Sequence, residues 1–194
     1  MALTTLDPKT ALVVIDLQNG LRALSGAPYS LDDVIERNIR LAEAFRARDL
    51  PVVLVRVSFS PDGSDVVPGR TEEPGHSQAL PAGWDEIVPE LAGHAGDITV
   101  TKRNWSAFYG TDLDLHLRRR GVTQIVLTGV ATSIGVESTA RAAHEHGYHL
   151  TLATDAMTDL DGDAHRHSIA KIFPRIGESG TTDDILGLLA TTHA

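Results

Sequence analysis

Apolar positions along the chain fall into two patterns: short unbroken runs that suit strands buried on both faces, and stripes at three- and four-residue spacing that suit amphipathic helices. The first run, Ala11 to Asp16, is apolar up to its last residue, an acid. Ser30-Leu-Asp-Asp33 supplies an N-cap with acids in the first turn, and Val34, Ile35, Ile39, Leu41, Ala42 and Phe45 form the stripe of a helix ending near Arg48 and Asp49. Leu50 to Val57 is predicted as the second strand. Ser58 to Gly83 then forms a Pro-, Gly-, Ser- and Asp-rich connection of 26 residues. Compact domains rarely use connections that long except as lids or disordered segments.

Trp84 to Leu91 is predicted as a short helix and Ile98 to Thr101 as a third strand. Thr111 to Arg120 reads as a helix, with Leu113 and Leu117 four apart and Gly121 placed for the C-cap. Gln124 to Leu127 is the fourth strand, Ser133 to His146 a helix closed by Gly147, and Tyr148 to Ala153 the fifth strand. A helix over Asp163 to Ile172, a sixth strand over Arg175 to Gly177 and a capped helix over Thr181 to Leu189 complete the pattern. Strand and helix alternate throughout. This predicts an α/β architecture, a six-stranded, mostly parallel sheet with helices on both faces, in one domain over residues 1–194.

Composition narrows the chemistry. With 194 residues, 42% of them hydrophobic, one domain can bury a sizeable core. No stretch approaches the ~20 apolar residues of a membrane span, and the start of the chain lacks an export signal, so a cytoplasmic protein is expected. A net charge of −9 argues against a nucleic-acid surface, and Arg118-Arg-Arg120 reads as a helix end facing water. There is no cysteine, which removes disulfides, thiolate metal sites and thiol nucleophiles together. The nine histidines lie mostly on helices or helix ends, so no metal is expected.

Three stretches carry candidate chemistry. Asp16 closes the first strand, either as a turn-starting residue or as a functional carboxylate at the edge where α/β sheets bind ligands. Lys102 follows the third strand and is either a solvated lysine or the partner of that acid. Behind it, Trp105, Phe108 and Tyr109 are either core anchors or the apolar wall of a site for a small planar ligand. The run from Ile125 passes through small residues into a helix whose first-turn amides suit an anionic oxygen. Arg141, four residues after Glu137, reads as an intrahelical pair, and Asp155 as a cap for the following segment.

Asp16-Leu-Gln18, Lys102 within Lys-x-x-x-Ser-Ala-Phe-x-Gly-Thr-Asp-Leu, and Gly129-Val-Ala-Thr-Ser-Ile-Gly-Val-Glu-Ser-Thr-Ala-Arg together resemble the isochorismatase-like hydrolases, or cysteine hydrolases. The likeness runs from about residue 10 to 188. It implies a Rossmann-like three-layer α/β/α fold, a homo-oligomer, a cis peptide before Ala131, and a catalytic Asp, Lys and Cys. These fall on Asp16, Lys102 and Gly135, so the nucleophile position offers only backbone. Substrate contacts are assigned to Gln18, Trp105, Phe108, Val130, Ala131, Thr132 and Arg70, with Arg56 a second cation for a carboxylate. Apolar surface for the homo-oligomer is expected from Phe173-Pro174 and the region of Trp84.

The departure at Gly135 excludes thiolate catalysis, and Ser58-Phe-Ser-Pro-Asp62 lacks the histidine of the metal site that the resembling nicotinamidases carry. True isochorismatases resemble this chain in having glycine at that position and hydrolyse a vinyl ether, although they carry an aromatic where Ala131 stands. The expectation is therefore a cofactor-independent hydrolase of a small carboxylate-bearing molecule, with Asp16 as the acid. The alternatives are an amide hydrolase using activated water, and a binding or assembly protein that keeps the pocket without turnover. A dinucleotide site is disfavoured, since Val13 to Gly20 lacks G-x-G-x-x-G.

Overall fold

The computed structural model describes residues 3–67, 69–72 and 80–192. Six strands, β1 (Thr10–Ile15), β2 (Val52–Val57), β3 (Ile98–Lys102), β4 (Gln124–Val130), β5 (His149–Thr158) and β6 (Glu178–Gly180), form one sheet in the order β3-β2-β1-β4-β5-β6. Every neighbouring pair of strands is parallel. The helices are α1 (Leu31–Arg46), α2 (Leu113–Arg119), α3 (Glu137–Glu145), α4 (Gly162–His167) and α5 (Thr182–Thr192). A wide helical turn, Thr132–Val136, leads into α3, and another, Ser168–Ile172, extends α4.

The period of two along β1 divides the core. Ala11, Val13 and Ile15 face Leu113 and Leu117 of α2, Ala140 and Ala143 of α3, and Phe173, whereas Leu12 and Val14 face Val34, Leu41 and Phe45 of α1 and Ile185 and Leu189 of α5. Each large side chain so buried contributes about 1.5–3 kcal/mol. Ser30 caps α1 by accepting the Asp33 amide. Asp155 accepts the amide and hydroxyl of Thr182 at the start of α5.

The strand order reverses direction between β1 and β4, which opens a crevice at their carboxyl ends. Gly129 makes this junction possible. Its φ is 111°, and a Cβ there would lie 2.0 Å from the Ile15 carbonyl oxygen.

Four expectations need correction. Trp84 to Leu91 is not a helix: the segment turns back along the loop after β1, where Asn19 and Gly20 donate to Glu86 and Trp84 carbonyls and Gln18 bridges Ile87. β6 lies at Glu178–Gly180, three residues later than predicted, because a tight helical turn occupies Phe173–Arg175. β5 runs on to Thr158 through its polar residues. Phe173 is fully buried, so of the Phe173-Pro174 pair only Pro174 is exposed, while Trp84 stacks on Phe59 with ring centroids 6.1 Å apart. Within the 58–83 connection, residues 68 and 73–79 lie outside the described residues.

Candidate active site

Asp16 is the first residue beyond β1 and takes the left-handed backbone conformation, φ 53°. Aspartate tolerates this region better than most residues, and the turn is fixed by the Asp16 amide on the Val55 carbonyl (2.9 Å) and the Gln18 amide on the Asp16 carbonyl (2.9 Å). The chain therefore reverses its side-chain direction here, and the carboxyl enters the crevice. Lys102, the last residue of β3, lies two strands away, roughly 9–10 Å at the usual spacing. Its long stem spans β2. Lys102 Nζ stands 2.7 Å from Asp16 Oδ2, with the two side chains 3% and 7% exposed.

The second oxygen, Asp16 Oδ1, is buried without a hydrogen-bond partner among the described residues. Burial pushes the Asp16 pKa up, while the charge and hydrogen bond of Lys102 pull it down; the net result is a rise from 3.8 to about 6. The group is an acid whose proton can be given and taken near neutrality.

Gly135 completes the arrangement. A Cβ at this residue would meet Ile15 Cγ2 at 3.1 Å, Asp16 Oδ2 at 3.4 Å and the Val130 carbonyl oxygen at 3.5 Å, so its backbone lies directly against the acid. It is not among the glycines with positive φ, so its role is closeness and not an unusual backbone angle. The Val130–Ala131 peptide just before the turn is cis.

The structure thus brings Asp16, Lys102 and the Gly135 backbone together, with Val130 and Ala131 leading into the turn. Of the other expected substrate contacts, Phe108 is carried away from this crevice, Gln18 and Thr132 are engaged in hydrogen bonds, and Trp105 and Arg70 are exposed. Phe108 stacks on His146 (4.9 Å) and packs on Tyr148 (5.9 Å) at the start of β5, the opposite edge of the sheet. The Gln18 side chain bonds Val57 through both its ends and also reaches the Trp84 carbonyl, fastening β2 to the loop. Arg70 is exposed on the long connection. Arg56 bonds Thr101 and faces Asp85 at 3.4 Å. Thr132 is buried, with its hydroxyl on His165, and Trp105 is 66% exposed.

Sequence reasoning missed the residues that hold the turn. Thr139 Oγ1 donates to the Gly135 carbonyl (2.7 Å) and accepts the Ala107 amide (3.0 Å), joining α3 to the segment after Lys102. From the other side, His165 Nδ1 lies 2.8 Å from Thr132 Oγ1, and Asp159 Oδ2 accepts the Ser133 amide at 2.6 Å. Thr139 falls inside the matched motif, whereas a distant histidine and aspartate carry no local signal.

A cleft of about 620 Å³ opens at the amino edge of the sheet, lined by Lys9, Arg46, Arg48, Asp97 and Arg120 among others. Its Arg46 and Asp97 pair with each other at 2.5 Å, which leaves that carboxylate matched by a cation, so chemistry places the candidate site at the carboxyl edge. No group of three or more His, Cys, Asp or Glu side chains that could hold a metal occurs among the described residues.

An isochorismatase domain model matches residues 10–184. The chain belongs to the isochorismatase family and is a hydrolase. It is 47% identical over 180 residues to the isochorismatase family protein YwoC of Bacillus subtilis (strain 168), covering 92% of this chain and 93% of that one. An isochorismatase family protein from Burkholderia thailandensis superposes with a TM-score of 0.93 at 46% identity, covering 96% and 98% of the two chains. The ureidoacrylate amidohydrolase RutB of Variovorax paradoxus (strain S110) is 30% identical over 211 residues, covering 95% and 83%.

Proposed function

We propose that this hydrolase cleaves a vinyl ether in a small carboxylate-bearing substrate, of the isochorismate type, with Asp16 as the acid and no covalent enzyme intermediate. The observation that carries the reading is the Asp16 carboxyl itself: one oxygen is held by Lys102, the other is buried and unpartnered, and its pKa is near 6. At pH 7 about a tenth of the molecules carry the proton, enough for a general acid. That proton goes to the terminal alkene carbon, leaving an oxocarbenium ion beside the Asp16 carboxylate. Water adds to the cation and returns a proton to Asp16. The resulting hemiketal collapses to a ketone and an alcohol, so the net change is addition of one water. Lys102 keeps Asp16 oriented, and the backbone at Ala131 and Gly135 faces the substrate oxygen at the start of the helical segment.

A second reading is supported by the 30% identity to a protein named an amidohydrolase. Asp16 would then act as the base that activates water toward an amide carbonyl. Both readings use the same acid, and the products separate them. Purified protein is assayed with isochorismate, following released pyruvate, and in parallel with ureidoacrylate and nicotinamide, following ammonia. Pyruvate release lost in Asp16→Asn supports the first reading; amide cleavage without it overturns that reading in favour of the second. Absence of turnover on all three overturns both.

A further inference from the structure

Gly135 brings a particular problem. In a turn with a side chain at this position, packing against Ile15 would itself fix the distance to Asp16, whereas a glycine leaves that distance to backbone restraints alone. We propose that His165 and Asp159 are positioning residues that clamp the Thr132–Gly135 turn from the α4 side and so hold Gly135 against Asp16. The inference rests on the carboxyl-edge site of the proposed function but not on which bond is cleaved there.

The clamp is built from buried groups. Thr132 is 0%, His165 3% and Asp159 3% exposed. Thr132 Oγ1 and His165 Nδ1 are 2.8 Å apart. Burial holds the imidazole below its ordinary pKa, with Asp159 acting against this and Arg166 with it, so the ring favours its neutral form, in which Nδ1 and the Thr132 hydroxyl share one hydrogen bond. The ring is further fixed edge-on to Tyr29, with centroids 6.2 Å apart.

Asp159 grips the next residue of the turn: Oδ2 takes the Ser133 amide at 2.6 Å and Oδ1 takes the Leu160 amide at 2.7 Å. Its own backbone is anchored in both directions to Ala27, at 2.8 and 3.1 Å. Two consecutive residues at the entry of the turn are thus tied to α4 and the loop before it, while Thr139 ties the exit at the Gly135 carbonyl. The hydrogen bonds of His165 and Asp159 go to the turn and its surroundings and not to Asp16, so their influence on the acid passes through the turn.

The test uses Thr132→Val, which keeps shape but loses the hydroxyl, His165→Phe, which keeps a ring but loses the hydrogen-bonding nitrogen, and His165→Asn, whose amide places a polar atom near the Nδ1 position. Two readouts need no turnover: hydrogen exchange at the Val136 amide, which bonds the Ala131 carbonyl across the turn (3.1 Å), and the titration midpoint of the Asp16 carboxyl carbon by NMR. We expect Thr132→Val and His165→Phe to speed exchange by about tenfold or more and, by admitting water to the acid, to lower the Asp16 midpoint by about half a unit or more. His165→Asn restores both. Unchanged exchange and midpoint in Thr132→Val and His165→Phe, or His165→Asn behaving like His165→Phe, overturns the clamp. An ordinary carboxylate midpoint in the unaltered protein would sink the acid reading of the proposed function, and exchange alone then decides the clamp.

Discussion

Lys102→Met isolates the part that charge plays at the site. Methionine keeps most of the apolar stem and removes the ammonium, which lies 2.7 Å from Asp16 Oδ2. This deletes both the charge and the hydrogen bond by which Lys102 pulls the Asp16 pKa down and leaves burial to push it up. An opposite charge at close range is worth about 1–3 pKa units, so the midpoint should climb from about 6 to about 7–9.

The sign of the stability effect follows. Because the folded pKa lies above the unfolded value of 3.8, the native state binds the proton more tightly, and its stability falls by about 3 kcal/mol in all as pH rises from well below 3.8 to well above 6. In Lys102→Met the fall continues, with a further loss of about 1.4–4 kcal/mol between about pH 6 and 9. NMR titration of Asp16 gives the two midpoints, and urea unfolding of both proteins at about pH 5 and pH 9 gives the loss in the variant beyond that of the unaltered protein. A variant midpoint at or below that of the unaltered protein would refute the assignment of Lys102 as the charge partner.

Thr139→Val leaves the Ala107 amide without its acceptor in a buried position and should cost about 1–3 kcal/mol in urea unfolding. Gly135→Cys places its Cβ 3.1 Å from Ile15 Cγ2, so the variant should lose about 1–3 kcal/mol by overpacking and should not hydrolyse nicotinamide at an enzyme-like rate, checked by ammonia release. Turnover should survive dialysis against EDTA and treatment with iodoacetamide; activity lost to EDTA and restored by a metal would contradict the acid mechanism.

What the sequence disclosed and what it hid divide along physical lines. The strand runs at Ala11 and Ile125 and the stripe ending at Phe45 are periodic in one dimension, so their positions relative to the core are legible from residue order alone. The motifs likewise lead to Asp16, Lys102 and Gly135. Trp84, Ile87, Val88 and Leu91 have helical spacing, yet long-range pairing with Gln18 to Gly20 outcompetes a helix at this point. Phe108 belongs to the Lys102 motif, yet its ring packs on His146 and Tyr148 beside the start of β5. Asp155 would end a strand only if polar residues had to be exposed; here β5 continues and Asp155 serves α5.

The site also bears on whether the chain is a catalyst or a scaffold. A buried acid and ammonium cost several kcal/mol each in lost hydration, and replacing such pairs by well-packed apolar groups of similar volume is often neutral or stabilising by about 1–4 kcal/mol. Asp16 adds a left-handed backbone and an unpartnered oxygen in the same crevice. A protein needing only its fold would be better served without these features, since the core clusters on the two faces of the sheet do not depend on them. The double variant Asp16→Asn with Lys102→Met tests this, because asparagine tolerates the left-handed turn and methionine fills the stem, so both charges vanish with little change of shape. We expect it to be inactive and, at about pH 8, no less stable than the unaltered protein in urea unfolding, the released hydration cost of the two charges offsetting the loss of about 1–3 kcal/mol from a partly unbonded asparagine amide. A double variant less stable than the unaltered protein would mean that the pair holds the fold together, and its presence would then no longer speak for a catalytic role.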